Sequence, residues 1–239
     1  MFVERSCTCV SGSQKLRERT VLTTMSQESK KSDQTLCVAF DVEAKGDRIT
    51  DPVIEIGLAW GTSPKDIQKM SLCLDYKSVA FQERCFNEFW SKQTENLKRI
   101  EAAAKDPKEQ LALLVKTMEG FEQKFAKIKL VSDNPAYDIA KIDYALFSVL
   151  QRFLGIRYDS KGNYRSISDP SEQIKGLASR KRELIEKEVA LEAPHTHQAA
   201  DDAHGILLTY FYVQRAIKNM DFVDMMEDTP LVNWKMTGR

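Results

Sequence analysis

The sequence predicts an α/β fold, a mixed sheet whose first strands form an antiparallel meander and whose later strands run parallel, flanked by helices. Three observations carry that prediction. Three β-rich runs follow one another across short turns between residues 36 and 76, helical periodicity takes over from residue 84, and helices then alternate with short apolar runs as far as residue 219.

The first run, Leu36 to Glu43 (LCVAFDVE), leads into a turn at Lys45-Gly46-Asp47, and PVIEIGLAW at 52–60 returns as a second strand closed by Gly61. Met70 to Tyr76 supplies the third strand. Residues 84–104 read as one helix with Phe86, Phe89, Trp90 and Leu97 as its apolar members. The next helix carries a start signal: Asp106 as N-cap, Pro107 at the first helical position, and Glu109 where a capping box places an acid. Its apolar residues Leu111, Leu114, Val115, Met118, Phe121, Phe125 and Ile128 recur at helical spacing, so one face is buried. Lys129 to Ser132 predicts a short strand, from which Asp133-Asn134-Pro135 passes into a helix through Ile139, Ile142, Leu146, Phe147, Leu150 and Leu154, stopped by Gly155. Lys161-Gly162-Asn163 marks a turn, and Tyr164 to Ser168 a strand. Ser179 to Leu191 is a charged amphipathic helix, and residues 200–219 form a last helix with Ala203, Ile206, Leu207, Tyr210 and Phe211 on its apolar side.

A chain of 239 residues, 42% hydrophobic and 29% charged, sustains one core, so the reading is a single domain over 36–219 between a leader at 1–35 and a tail at 220–239. Ser, Thr, Gln, Lys and Glu dominate residues 11–34 without any period, the composition of a disordered segment. The tail carries Phe222, Met225, Met226, Leu231 and Trp234, enough apolar surface to pack back or to meet a second copy or another protein. Lys+Arg and Asp+Glu both total 35. That balance excludes the global positive field of many non-specific nucleic-acid binders, so any polyanion contact must be local. Five cysteines, an odd number without a paired framework, point to reduced thiols in an intracellular, soluble protein. The longest apolar runs fall short of the roughly 18 to 20 residues a membrane span needs, and no membrane partner is expected.

Three acidic elements carry the chemistry. In the first strand successive side chains alternate, so Asp41 and Glu43 project from one face about 7 Å apart along the chain and are able to share a metal ion. Hard divalent cations such as Mg²⁺ prefer carboxylate oxygens, and a site of separated acids completed by substrate phosphate suits them. In DNPAYDIAKIDY, Asp138 stands at a helix entrance, where the helix dipole favours its charge. Asp143 lies more than one turn further in and reads as a surface residue. In HTHQAADDAHG, an imidazole on a loop precedes by five residues an acid in the first turn of a helix, so that His197 is free to lean over a water that Asp202 helps to hold. All three histidines of the chain, at 195, 197 and 204, crowd this segment. A zinc site from Cys7, Cys9, His195 and His197 is a weaker alternative, because its Cys-x-Cys and His-x-His spacings miss the usual structural-zinc pattern.

In this order the three elements resemble the DEDDh class of 3′-to-5′ exonucleases, the proofreading-exonuclease family with a ribonuclease-H-like fold, across roughly Leu36 to Asn219. Asn134-Pro-Ala-Tyr-Asp138 is similar to the family's second motif, and His197-Gln-Ala-Ala-Asp-Asp202-Ala to its third; Val53-Ile-Glu-Ile-Gly57 resembles its second strand. By that register His197 is preferred to His195, and Asp202 to Asp201. Where many members carry Thr or Ser after the first Glu, this chain has Ala44, which removes a substrate-facing hydroxyl; Ala44 and Asn134 are the substrate-side positions so implied.

The resemblance implies hydrolysis of phosphodiester bonds with two divalent cations, Mg²⁺ or Mn²⁺, roughly 3.5 to 4 Å apart. Asp41 would bridge them, Glu43 and Asp202 would complete one, Asp138 would support the other, and His197 would take the proton of the attacking water. The implied partners are single-stranded DNA or RNA or their 3′ ends, and the product a nucleoside monophosphate. Two other readings stand beside this one: a nuclease-like module that binds nucleic acid or protein without cutting it, and an endonuclease of the same fold.

Overall fold

The computed structural model describes residues 31–219. Most of the expected leader, with Cys7 and Cys9, and the whole of the expected tail lie outside the described residues.

Strands β1 (Ser32–Ala44), β2 (Val53–Gly61) and β3 (Gln68–Cys73) form the antiparallel meander. Strands β4 (Phe125–Val131) and β5 (Ile167–Ser168) add in parallel on the other side of β1, giving the order β3-β2-β1-β4-β5. The predicted mixed sheet flanked by helices is the observed one. β1 begins at Ser32, inside the segment read as leader, because Ser32 and Thr35 pair with Phe125 and Lys127 of β4.

The alternation of β1 sorts its side chains between two cores. Leu36, Val38, Phe40 and Val42 face α3 (Pro107–Lys124) and α4 (Asp138–Leu150), where Leu111, Leu114, Ile139, Ile142 and Leu146 close the larger core. Cys37 and Ala39 face α7 (Ala199–Lys218), packed under Ala203, Ile206, Leu207 and Tyr210. Asp41 and Glu43 continue that second face beyond the last apolar residue, at the end of the strand where α7 begins.

Several boundaries differ from the sequence reading for local reasons. Residues 84–104 are not one helix: α1 (Glu83–Glu88), a 3-10 turn (Trp90–Lys92) and α2 (Thr94–Ala103) follow one another, because Trp90 turns inward to full burial and its Nε1–H donates to the Ala44 carbonyl at 2.9 Å. Asp106 caps α3 as predicted, accepting from the backbone N–H groups of Lys108 and Glu109. That helix ends at Lys124, and Phe125 and Ile128, read as its last apolar positions, belong to β4. α4 stops at Gln151, which takes the left-handed conformation, four residues before Gly155. Between β5 and α6 (Ser179–Glu192) lies a short helix absent from the sequence reading, α5 (Pro170–Lys175), capped by Asp169. Among the described residues no helix is long and apolar enough to cross a membrane.

Two buried ammonium groups tie loops to this frame. Lys141, fully buried, donates to the carbonyls of Arg48 and Asp51 at 2.6 and 3.0 Å, and Lys45 donates to those of Tyr76 and Val79. Each buried charge is thereby matched by backbone oxygens, as burial requires.

Candidate active site

The three acidic elements converge. Asp41, Glu43 and Asp202 each offer a carboxylate oxygen within 4.8 Å of the others, and Asp41, Asp133 and Asp138 do the same. Asp41 is thus common to two neighbouring all-oxygen groups. The donor chemistry of both fits hard divalent cations, which take carboxylate oxygens in preference to nitrogen or sulfur.

Each element delivers its side chain for a local reason. Asp41 and Glu43 share a face of β1 at the point where the β1–β2 ladder is bulged, between Glu43 and Ala44. Asp138 opens α4; Ser132 Oγ donates to its Oδ2 at 2.6 Å, and its backbone N–H donates to the Asn134 carbonyl. Asp202, in the first turn of α7, is 7% exposed and accepts at Oδ1 from the Thr196 backbone N–H at 2.9 Å. Gly57 is the β2 residue paired with Asp41, and its missing side chain leaves room for the start of α7 to settle over the strand.

Gathering these acids has an electrostatic cost. Burial, reinforced by the charges of Asp138, Glu43, Asp202 and Asp133, pushes the Asp41 carboxyl up to about 9. Burial, then Glu55 and Asp202, pushes Glu43 up to about 8, with Arg99 opposing. Burial pushes Asp138 up to about 7 against the Ser132 hydrogen bond. A site of mutually repelling carboxylates is one that a bound cation would relieve.

His197 stands at the rim beside Asp202, on the loop before α7. Its backbone is left-handed, φ 56°, an uncommon conformation for a residue with a side chain. It is held from the side of the inserted helices: Asn96 Nδ2 donates to its carbonyl, and the Phe89 ring meets its imidazole edge-on at 5.0 Å. Burial and the neighbouring His195 lower its pKa, although Asp202 pulls the other way.

Sequence reasoning passed over or set aside four residues that the fold brings to the acids or to their neighbours. Asp133 joins Asp41 and Asp138, and its signal was its place at the end of β4 in the same Asp-Asn-Pro turn. His195 brings Nδ1 to 3.1 Å from Asp202 Oδ1 and its ring to 4.2 Å from that of His197. Glu55, completely buried, stands opposite Glu43 across the β1–β2 ladder, and Arg99 of α2 meets it with two bonds of 2.9 and 2.6 Å. Arg99 is committed to this internal pair, and its Nε–H also donates to Asn96 Oδ1 at 2.9 Å. The other predicted positions fall as follows. Asn134 is exposed at the mouth of α4, Ala44 is buried, Asp201 pairs with Lys69, and Asp143 holds the Ile156 N–H and Arg157 away from the site.

A cavity of about 300 Å³ opens from the acids, with Asp41, Asp133, His195 and Asp202 at one end and Ile174, Val189, Ile206 and Thr209 among its walls.

Solved structures share this fold, exonuclease I among them. Escherichia coli exonuclease I, in complex with an oligonucleotide, superposes with a TM-score of 0.55 at 10% identity over 77% of this chain and 41% of its own. Cell-death related nuclease 4 gives 0.51 at 13% identity over 78% and 66%, and Schizosaccharomyces pombe Pop2p in its Mg²⁺- and Mn²⁺-bound form gives 0.51 at 15% identity over 80% and 86%. The chain spans about two fifths of the length of exonuclease I. No protein-family model matches it, and no curated protein does. The architecture is ribonuclease-H-like.

Proposed function

We propose that this chain is a metal-dependent 3′-to-5′ exonuclease that hydrolyses the terminal phosphodiester bond of DNA or RNA and releases a nucleoside monophosphate. The observation that carries the reading is the sharing of Asp41 between two carboxylate groups beside a histidine.

Asp41, Glu43 and Asp202 would hold one divalent cation, and Asp41, Asp133 and Asp138 a second. Bound there, Mg²⁺ or Mn²⁺ supplies the positive charge that neutralises the attacking and leaving oxygens of an in-line displacement at phosphorus. The protein's own residues do the rest. Lowered by burial and by His195, the His197 imidazole is neutral at pH 7 and able to accept a proton from the attacking water. Ser132 fixes the Asp138 carboxylate, and the Thr196 N–H fixes that of Asp202, so neither reorganises as charge develops. Beyond the acids the cavity is lined by aliphatic side chains, the Ser171 and Thr209 hydroxyls and Glu186, with no Lys or Arg among the described residues, and suits the neutral nucleoside end of a chain better than its phosphates. Asn134 stands exposed where the strand would enter. The oligonucleotide bound by exonuclease I and the Mg²⁺ and Mn²⁺ bound by Pop2p, neighbours in fold, support the same assignment.

The test is a single-stranded oligonucleotide carrying label at either end, incubated with Mg²⁺ or Mn²⁺ beside an Asp41→Ala control and a chelator. Mononucleotide released first from the 3′-labelled end, and absent from both controls, is the expected result. Binding without cleavage would make the protein a nucleic-acid-binding module instead, and cleavage of a circular strand would make it an endonuclease.

A further inference from the structure

The acids are not the only group on this face with the spacing of a metal site. His195, His197 and Asp202 each present a ligand atom within 4.8 Å of the others, a two-nitrogen, one-oxygen set distinct in chemistry from the carboxylate groups beside it. Imidazole is an indifferent ligand for Mg²⁺ and a good one for zinc, and three protein ligands with an open position is a common zinc arrangement. We propose that His195, His197 and Asp202 form an inhibitory zinc site, in which zinc withdraws from hydrolysis the histidine and the carboxylate that the proposed reaction requires.

The site is built before any ion arrives. The chain turns at His197, where the backbone is left-handed with φ 56°, and the two rings of His-x-His meet at 4.2 Å and 77°. That conformation is held from outside the group, by Asn96 at the His197 carbonyl and Phe89 at its ring. Asp202 is oriented by the Thr196 N–H, donated from the residue between the two histidines. His195 is the adjustable member, its side chain 68% exposed and its Nδ1 already 3.1 Å from Asp202 Oδ1. Ligands held in place by other contacts lose little freedom on binding, which is what separates a metal site from a chance cluster. The spacing of Cys7, Cys9, His195 and His197 argued against a zinc site of those four; the set that the fold brings together is His195, His197 and Asp202.

Because Asp202 belongs to both this set and the Asp41–Glu43 group, zinc and the activating cation contend for one carboxylate. The inhibitory effect rests on the exonuclease reading; the zinc site itself does not. The experiment therefore has two readouts, both in a Cys7→Ser, Cys9→Ser background that removes the competing thiols, with and without His195→Gln. Cobalt(II), a spectroscopic stand-in for zinc, is added in the presence of Mg²⁺ and the visible absorption of a four-coordinate ion is followed; hydrolysis of an oligonucleotide at saturating Mg²⁺ is titrated with zinc. His195 touches both Asp202 and His197, so each protein's zinc titration is expressed relative to its own rate without zinc. The expected result is that this substitution abolishes the cobalt band and raises the zinc concentration for half-inhibition about tenfold or more, and that raising Mg²⁺ weakens the inhibition of the unsubstituted protein. A cobalt spectrum indifferent to His195→Gln, or zinc that inhibits both proteins equally or neither, overturns the proposal. A protein without nuclease activity that still shows the histidine-dependent cobalt band overturns the exonuclease reading alone.

Discussion

Gly57 on β2 lies so close under Ala199, the first residue of α7, that a Cβ on the glycine would come within 1.9 Å of the Ala199 carbonyl carbon and 2.4 Å of the Ala200 nitrogen. Both atoms are backbone, so no rotamer change relieves the overlap and the helix must move. Gly57→Ala is expected to destabilise the fold by about 3 kcal/mol, at the upper end of overpacking costs. It also displaces Asp202 from Asp41, so hydrolysis falls further than the unfolded fraction explains. Urea unfolding and an oligonucleotide assay at the same temperature check both. A variant as stable and active as the parent would show that the helix is not seated this tightly.

The carboxylate cluster makes the metal-free protein sensitive to base. An unfolded aspartate titrates near 3.9, whereas Asp41 in the fold is pushed up to about 9 by burial and its acidic neighbours. Between those values the folded chain keeps a proton that the unfolded chain releases, so stability is greatest below the lower value and declines as pH climbs towards the upper one. With chelator present, the melting temperature should fall from pH 5 to pH 8.5. Asp41→Asn should flatten that slope and melt higher at pH 8, by about 2–4 °C for each kcal/mol of repulsion removed. Equal slopes for the two proteins would mean that the acids are well solvated.

At His197 the direction of the shift predicts a pH profile. The lowered imidazole pKa places the acid limb of kcat below pH 6.5. His197→Ala should reduce kcat by about 10²- to 10⁴-fold while the rise in melting temperature on adding Mn²⁺ persists, since the all-carboxylate groups remain. Loss of that thermal response together with kcat would assign the imidazole to binding the activating cation instead.

Asn96 offers a finer test, because it touches the His197 carbonyl and no group in the proposed reaction. Asn96→Ala should lower kcat about tenfold with KM nearly unchanged, through misplacement of the ring. In a His197→Ala background the same change should have no further effect, the signature of action through one residue. Additive losses would place Asn96 in some other role.

Away from the site, Arg165 is 6% exposed, donates to the carbonyls of Ile156 and Tyr158, and pairs with Glu122. Removing the acid strands a buried guanidinium. Glu122→Ala should cost about 3 kcal/mol in unfolding experiments, with the activity of the folded fraction intact. A neutral outcome would imply that water already reaches the pair.

What the sequence disclosed and what it hid divide along the range of the interactions. β1 and β2 were legible because alternation and turn residues are local, and α3 because Asp106-Pro107 is a start signal read within four residues. The same signal stood at Asp169-Pro170 with Glu172 behind it, and α5 is where it said; the helix is only one turn and a half long and shows no periodicity. Phe125 and Ile128 fitted both periods, and pairing with β1 decided for the strand. For the site, Asp41, Glu43, Asp138, His197 and Asp202 were each marked by position in a motif. Asp133 and His195 were adjacent to those motifs, and only the fold shows them brought within reach of the acids. Glu55 facing Glu43, and Arg99 reaching back 44 residues to answer it, depend on strand register and helix docking, which no short stretch of chain encodes.

Asp41 sits in both carboxylate groups, and one side chain cannot serve two tenants independently. Whatever occupies the first position alters the charge and orientation felt at the second, so cation loading followed by calorimetry should resist description as two separate equilibria. The same economy means that a single substitution at position 41 removes a carboxylate from both groups at once, which no change at Glu43 or Asp138 would do.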